Sequence, residues 1–487
     1  MKLTILDEPE LEFAGGGRHI DPRFGIAFYG PADANSPTAP KVIRAGLVGT
    51  AAAIEGLRAW LERCQREIPG KETHLGHLFP AFPGFDQDMA FRSRLVFEPR
   101  LERAIPERAF RSLPTADQSG AVRAAVDLFM AELEPLADDG RCDVILCARP
   151  DELVDEATAT PTDGQDEDEE ETQSEDESDS ARFDFHDLLK AKAMKLRVPL
   201  QIIRSTTWDP QSASRAAGAG RPARQVQDEA TRAWNLHTAL YYKAGGVPWR
   251  LLRHPSDLTA CYVGVSFFRT LDATSLHTAV AQVFNERGDG IIVRGGQAAI
   301  SKEDRQPHLT EADAHALLKN ALRVYRAEHG NFPARIVMHK SSSYSEAEAE
   351  GFGAAANEDS LHSLELLWLP RKETARLFRF GDHPPLRGTL LSLDDDHHVL
   401  YTRGGVDFFK VYPGMYVPHP LGIRLISVER SGRQLASEML SLTKMNWNQA
   451  QFDGREPVTL RTSYRVGKIL KYVGQDDSVA PRYAYYM

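Results

Sequence analysis

Lys41-Val-Ile-Arg-Ala-Gly-Leu-Val-Gly-Thr50 is a run of aliphatic and small residues ending on a threonine. It reads as a buried strand that feeds a helix over residues 51–67, with Thr50 as the helix cap. Working outward, a helix is expected over 121–136. Cys142-Asp-Val-Ile-Leu-Cys-Ala148 then reads as a short buried strand. A helix over 183–195, a strand over 200–205 and a helix over 225–244 follow, the last stopped by Gly245-Gly246. Strands alternating with helices predict a parallel α/β layer sheet that ends near Pro255.

A second block opens on Ala260-Cys-Tyr-Val-Gly-Val-Ser-Phe-Phe268, another buried strand. A helix over 312–328 leads into a strand over 334–339. β-like segments follow at 361–369, 387–393 and 422–428, and residues 461–472 read as a basic helix. The expected organisation is an N-terminal segment (1–40), an α/β domain (41–255) and a second α/β domain (256–487). The 487 residues, 42% of them hydrophobic, suffice for two or three domains with cores. No internal repeat is visible.

The net charge of −11 argues at first against a nucleic-acid partner. Residues 163–179, however, hold 11 acids and no Lys or Arg, so the rest of the chain is balanced and can carry basic patches. The Ser/Thr-rich acidic tract over about 151–181 cannot bury a core and is expected to be a disordered insert. It is either a solvated loop or an electrostatic gate over a nucleic-acid groove. Cys64, Cys142, Cys147 and Cys261 form no CxxC pair, which predicts reduced, buried thiols rather than a zinc site or a disulfide framework. No apolar run approaches 18 residues, so no membrane helix is expected, and the acids near Met1 do not suit a signal peptide. The expected location is the cytoplasm.

Four residues stand at the ends of these elements. His186 and Lys190 are four apart on one helix, Gln201 lies on the next strand, and Lys243 ends the helix after it. Two ammonium groups, an amide and an aromatic ring suit a nucleic-acid phosphate and the base beside it. A Rossmann-type nucleotide enzyme is the alternative, but Gly46-Leu-Val-Gly49 lacks the glycine fingerprint and no acid is positioned for a ribose.

Ser441-Leu-Thr-Lys-Met-Asn-Trp-Asn-Gln-Ala-Gln-Phe-Asp-Gly-Arg-Glu-Pro-Val-Thr-Leu-Arg461, running on to Val466-Gly-Lys-Ile-Leu-Lys471, closely resembles the end of the PIWI domain of Argonaute proteins. Pro418-His-Pro-Leu-Gly-Ile423 also resembles a PIWI segment. Pro9-Glu-Leu-Glu-Phe13, Arg18-His-Ile-Asp-Pro-Arg-Phe-Gly-Ile26 and Tyr29-Gly30 resemble the start of short prokaryotic Argonautes. The resemblance covers nearly the whole chain apart from the acidic insert. It implies a Rossmann-like MID domain and an RNase H-like PIWI domain without a PAZ domain. It also implies that His186, Lys190, Gln201 and Lys243 hold the 5′ phosphate of a guide, with His186 where the family more usually has Tyr. A structural Mg²⁺ at that phosphate would be bound by Gln201 and by the carboxylate of Met487.

A cutting PIWI domain needs clustered carboxylates that hold two metal ions about 4 Å apart. At the positions where two of those acids belong, this sequence has Ser266 and Ser341. A neutral hydroxyl cannot balance the charge of two Mg²⁺ ions. Asp272, Asp289 and Asp394 to Asp396 fall at other places and read as exposed loop acids. The resemblance therefore implies a subunit that binds a guide RNA and a complementary single-stranded DNA target without cutting. An active guide-directed nuclease is the alternative. It further implies a heterodimer with a partner chain in a defence system against phage or plasmids. That partner carries an APAZ domain and an effector: a TIR or sirtuin-like NAD-consuming domain, or a nuclease.

Overall fold

The computed structural model describes residues 1–114, 117–149, 183–212, 226–252, 258–272, 275–284, 290–381, 383–414, 417–452, 454–474, 477 and 479–487. The acidic tract, Pro255, Asp289 and Asp453 lie outside the described residues. The chain forms two compact units. One comprises Glu12–Trp249, Trp447–Ala450 and Met487, the other Met1–Leu11, Arg250–Asn446 and Gln451–Tyr486.

In the first unit the expected strand is Val42–Gly49. It lies between Arg94–Val96 and Val144–Ala148, and Leu200–Ile203 follows; all three pairings are parallel. The register pairs Ala45 with Val144 and Ala148 with Ile203. The helices between are Ala51–Arg63, Gln118–Asp138, Phe185–Ala193 and Glu229–Lys243. Three begin on a side-chain cap: Thr50 accepts from the Ala53 amide, Asp184 from Asp187 and Asp228 from Thr231. The first helix stops at Arg63, short of the expected Glu67, because the backbone turns at Cys64 toward the bridge between Ile68 and Phe82. Gly46 and Gly49 serve packing. A Cβ on Gly46 would lie 2.8 Å from Leu136, and one on Gly49 2.9 Å from Ala148. This accounts for the two glycines without a phosphate loop.

The second unit is built on one sheet of ten strands. In order they are Lys2–Ile5, Thr389–Ser392, His397–Leu400, Leu421–Ser427, Ser363–Trp368, Arg335–Lys340, Ala260–Arg269, Leu276–Phe284, Gly290–Ile300 and Pro307–His308. The central pairings of Ala260–Arg269 with Arg335–Lys340, and of Arg335–Lys340 with Ser363–Trp368, are parallel. Those on either side are antiparallel. Strand alternation divides Ala260–Arg269 between two faces. Cys261, Val263 and Val265 join the core made with Leu317 and Leu318 of the helix Glu311–His329 and Phe352 and Ala355 of Glu346–Glu358. Gly264, Ser266 and Phe268 point the other way, toward the helix Val458–Leu470. A Cβ on Gly264 would lie 2.0 Å from the Thr459 oxygen, so only glycine admits that helix so closely. All four cysteines are buried and free. Among the described residues no helix is long and apolar enough to cross a membrane.

Candidate phosphate pocket and carboxylate positions

Lys190 and Lys243 stand in the last turns of their helices, where the partial negative charge of a helix C-terminus favours a cation. Both side chains are buried, at 1% and 2% exposure. Lys190 Nζ donates to the main-chain oxygens of Leu200 and Met487. Lys243 Nζ donates to Gln201 Oε1 and, at 2.9 Å, to the same Met487 oxygen. The structure thus brings together Lys190, Gln201, Lys243 and Met487, although they are spread over 298 positions of sequence. Cys147 lies in the sheet beneath, its thiol pushed by burial up to about 12 and therefore neutral.

Burial pushes the Lys190 ammonium down to about 8. Lys243 falls well below the ordinary lysine range through burial and then through repulsion from Lys190. The two side-chain amines face each other on the Leu200 and Gln201 oxygens and on one shared Met487 oxygen. A site of this composition gains from any anion that enters it, because the anion supplies the charge that water no longer can. Gln201 Oε1 and the Met487 oxygen are hard donors of the kind Mg²⁺ accepts. Both already face ammonium groups, so they fit the ion only together with phosphate oxygens that offset the lysine charge.

His186 sits elsewhere. It lies on the first turn of its helix with its side chain 40% exposed, and its Nδ1 meets Asp187 Oδ1 at 3.0 Å. Asp184, His186 and Asp187 bring one ligand atom each within 4.8 Å of one another. Burial and the neighbouring Asp187 raise Asp184.

In the ten-stranded sheet, Val265 pairs with Lys340, and the Ser341 amide donates to the Val265 oxygen at 3.3 Å. Ser266, within its strand, and Ser341, just past the end of the adjacent parallel strand, are therefore neighbours. The Ser266 side chain is 1% exposed, and among the described residues its Oγ has no hydrogen-bond partner. Two hydroxyls at this place do not offer the charged oxygen donors that a pair of divalent ions requires. Asp394, Asp395 and Asp396 are exposed in the turn joining Thr389–Ser392 to His397–Leu400.

The sequence reading missed Glu348, the buried carboxylate near this loop. Its Oε1 accepts from the Leu309 amide, and its Oε2 accepts from Lys340 at 2.7 Å and from the Ser345 amide, with His308 Nδ1 at 2.9 Å. Burial alone would raise this carboxyl, but Lys340 and the amides bring it below its usual range. Ser345-x-x-Glu348 matches a capping box, which was the available signal.

No protein-family model matches the chain, and no curated protein matches it in sequence. Solved structures do match, among them the following three. The Argonaute of Clostridium butyricum, solved with a guide DNA and a 19-mer target DNA, aligns at TM-score 0.63 and 13% identity, over 98% of this chain and 53% of its own. Aa-Ago, solved with an externally bound siRNA, aligns at 0.58 and 14%, over 99% of this chain and 56% of its own. Drosophila Piwi aligns at 0.58 and 13%, over the same shares. The fold is that of the MID and PIWI regions of Argonautes, and the chain spans about half the length of these structures.

Proposed function

We propose that this chain is a guide-binding subunit that recognises a complementary strand without cutting it. The observation that carries the reading is the pair of buried lysines converging on one oxygen beside Gln201. The 5′ phosphate of a guide, which we take to be RNA, enters among Lys190, Lys243 and Gln201 and receives charge-assisted hydrogen bonds worth about 1.5–3 kcal/mol each. A Mg²⁺ ion bound there would be held by Gln201 and the Met487 carboxylate and would neutralise phosphate charge. His186, half-exposed on the same helix, is the residue for the first base of the guide.

The second unit then serves as a cradle for the duplex of guide and single-stranded DNA target. Ser266 and Ser341 stand side by side where carboxylates would be needed, which supports binding without hydrolysis. The output comes from a partner chain carrying an APAZ domain and an effector, with a TIR or sirtuin-like NAD-consuming domain favoured over a nuclease. The assembly acts in the cytoplasm in defence against phage or plasmids.

The test is filter binding with 5′-phosphorylated and 5′-hydroxyl guides. Wild type prefers the phosphate, and Lys190→Ala with Lys243→Ala removes that preference. A double variant that keeps it puts the phosphate pocket elsewhere. Guide-loaded protein with Mg²⁺ or Mn²⁺ leaves a complementary target intact; cleavage at one defined phosphodiester overturns the non-cutting assignment in favour of the nuclease alternative. Co-expression with the neighbouring gene product, followed by an assay of NAD with and without target, tests the partner.

A further inference from the structure

Between the strands Ser363–Trp368 and Thr389–Ser392 runs the segment Pro370-Arg-Lys-Glu-Thr-Ala-Arg-Leu-Phe-Arg-Phe-Gly381. Most of its backbone is anchored. The Arg371 oxygen accepts from Arg455 at 2.8 Å, and the Leu377 amide donates to Tyr401 Oη at 2.7 Å. The aromatic residues beyond that anchor are not packed. Phe378 is 85% exposed and Phe380 fully exposed, the two most exposed aromatic side chains among the described large hydrophobics.

Cations are interleaved with these rings. Lys372 and Arg379 are exposed, and Arg371 and Arg376 are partly buried. Arg371 lies over the Tyr464 ring at 4.4 Å, with Lys468 over the same ring at 4.7 Å. The Arg376 guanidinium meets His419 Nδ1, and burial together with Arg376 and Arg455 holds His419 below its usual range. The acid of the segment, Glu373, is buried and accepts from the Ala375 amide, with His397 and Arg424 beside it. Exposed rings standing among cations, with the neighbouring carboxylate turned inward, match a strand that carries phosphates and unstacked bases. A duplex hides its base faces, so the complementary ligand is single-stranded.

We propose that Phe378 and Phe380 form a stacking platform for unpaired bases of a nucleic-acid strand, with Arg379 and Lys372 on its phosphates. The inference rests on the nucleic-acid reading above but not on the phosphate pocket. Its contacts need no 5′ phosphate, and it assigns a contact for a single-stranded stretch lying outside any duplex.

The experiment is fluorescence anisotropy with labelled 5′-hydroxyl single-stranded DNA and RNA and with a blunt hairpin duplex, over a range of salt. Phe378→Ala with Phe380→Ala weakens single-strand binding by roughly tenfold or more, leaves the hairpin unchanged and leaves the salt slope unchanged. Arg379→Ala lowers the salt slope by about one. Lys190→Ala with Lys243→Ala keeps the dependence on the two rings. Both rings are exposed, so thermal melts of the ring variant match wild type. A ring variant that binds single strands as wild type does overturns the proposal while the 5′-phosphate preference still stands. A ring variant that loses single strand and hairpin equally also overturns it. So does one that changes only self-association by light scattering, because the surface then docks protein. Wild type that binds no nucleic acid overturns this inference and the reading it rests on together.

Discussion

Lys340 and Glu348 form an ion pair, Nζ to Oε1 at 2.6 Å, in which neither side chain has any exposure. The pair ties the end of a central strand to the first turn of the helix Glu346–Glu358, across the loop that starts at Ser341. Lys340 also lies over the Phe267 and Tyr344 rings at 5.5 and 5.0 Å, and Glu348 takes two backbone amides. Burial brings Lys340 down to about 8, so the pair holds its charges only through mutual contact.

Removing one partner leaves the other charged and buried. Lys340→Ala or Glu348→Ala should each lower unfolding stability by about 3–5 kcal/mol, read as a fall in the urea midpoint. Replacing both by well-packed apolar residues should recover much of that loss. Single variants within about 0.5 kcal/mol of wild type would show that the pair contributes little.

The two pocket lysines should make phosphate binding depend on pH. In the free protein Lys190 releases its proton near 8, whereas in the unfolded chain it does so near 10.5. Between those values the unfolded state carries the extra proton, so folded stability without ligand rises with pH across that window, by about 3 kcal/mol for this group. An anion reverses the preference by favouring charged lysines. Binding of a 5′-phosphorylated strand should take up protons and weaken as pH rises from 7 to 9. Titration calorimetry in buffers of different ionisation enthalpy measures the uptake directly, and equal apparent enthalpies in all buffers would rule it out.

Ser266 and Ser341 make a third test. Changing both to Asp sets a buried carboxylate at 266 beside a half-buried one at 341, at a cost of several kcal/mol when no cation is present. The double variant should melt lower than wild type in chelator and recover on adding Mn²⁺ or Mg²⁺, while wild type shows no such response. A variant whose melting ignores divalent ions would mean that the two positions do not converge on one cation.

Glu8 accepts from both Arg387 and Lys444, at 2.9 and 2.7 Å, and those two side chains are buried. Burial would raise the Glu8 carboxyl, but the two cations bring it below its usual value. Its stabilising effect is therefore present above the pKa of an unfolded glutamate and is lost as pH falls through the lower folded value. Glu8→Ala should destabilise by about 3–5 kcal/mol at neutral pH, and the difference from wild type should shrink in acid. An unchanged difference across that range would assign the loss to packing.

The alternation of strands and helices over 41–255 was legible because its main strands are short aliphatic runs and its helices open on capping residues, as at Thr50 and Asp228. The hairpin of Leu276–Phe284 and Gly290–Ile300 escaped notice because its second strand carries Gly290, Gly295 and Gly296. Strand propensity counts against those glycines, but tertiary packing requires Gly295, where a Cβ would lie 2.7 Å from the Thr278 Cβ. The helix Glu346–Glu358 was hidden in the same way by Gly351, where a Cβ would lie 2.2 Å from the Glu311 oxygen. Spacing alone could not bring Met487 to Lys190, since no local pattern encodes a contact between residues so far apart. The resemblance supplied that pair. Helical spacing grouped His186 with Lys190, and the fold turns the two to different surroundings.

The hydrogen bonds from Lys190 and Lys243 to Met487 also set an order of events during synthesis. Residues 12–249 leave the ribosome roughly two hundred residues before the segment Trp447–Ala450 that completes their unit, and Met487 comes later still. Until then the two ammonium groups lack their shared oxygen. A nascent chain that has not yet reached residue 487 therefore holds the parallel sheet and both lysines without the oxygen on which the two side chains converge.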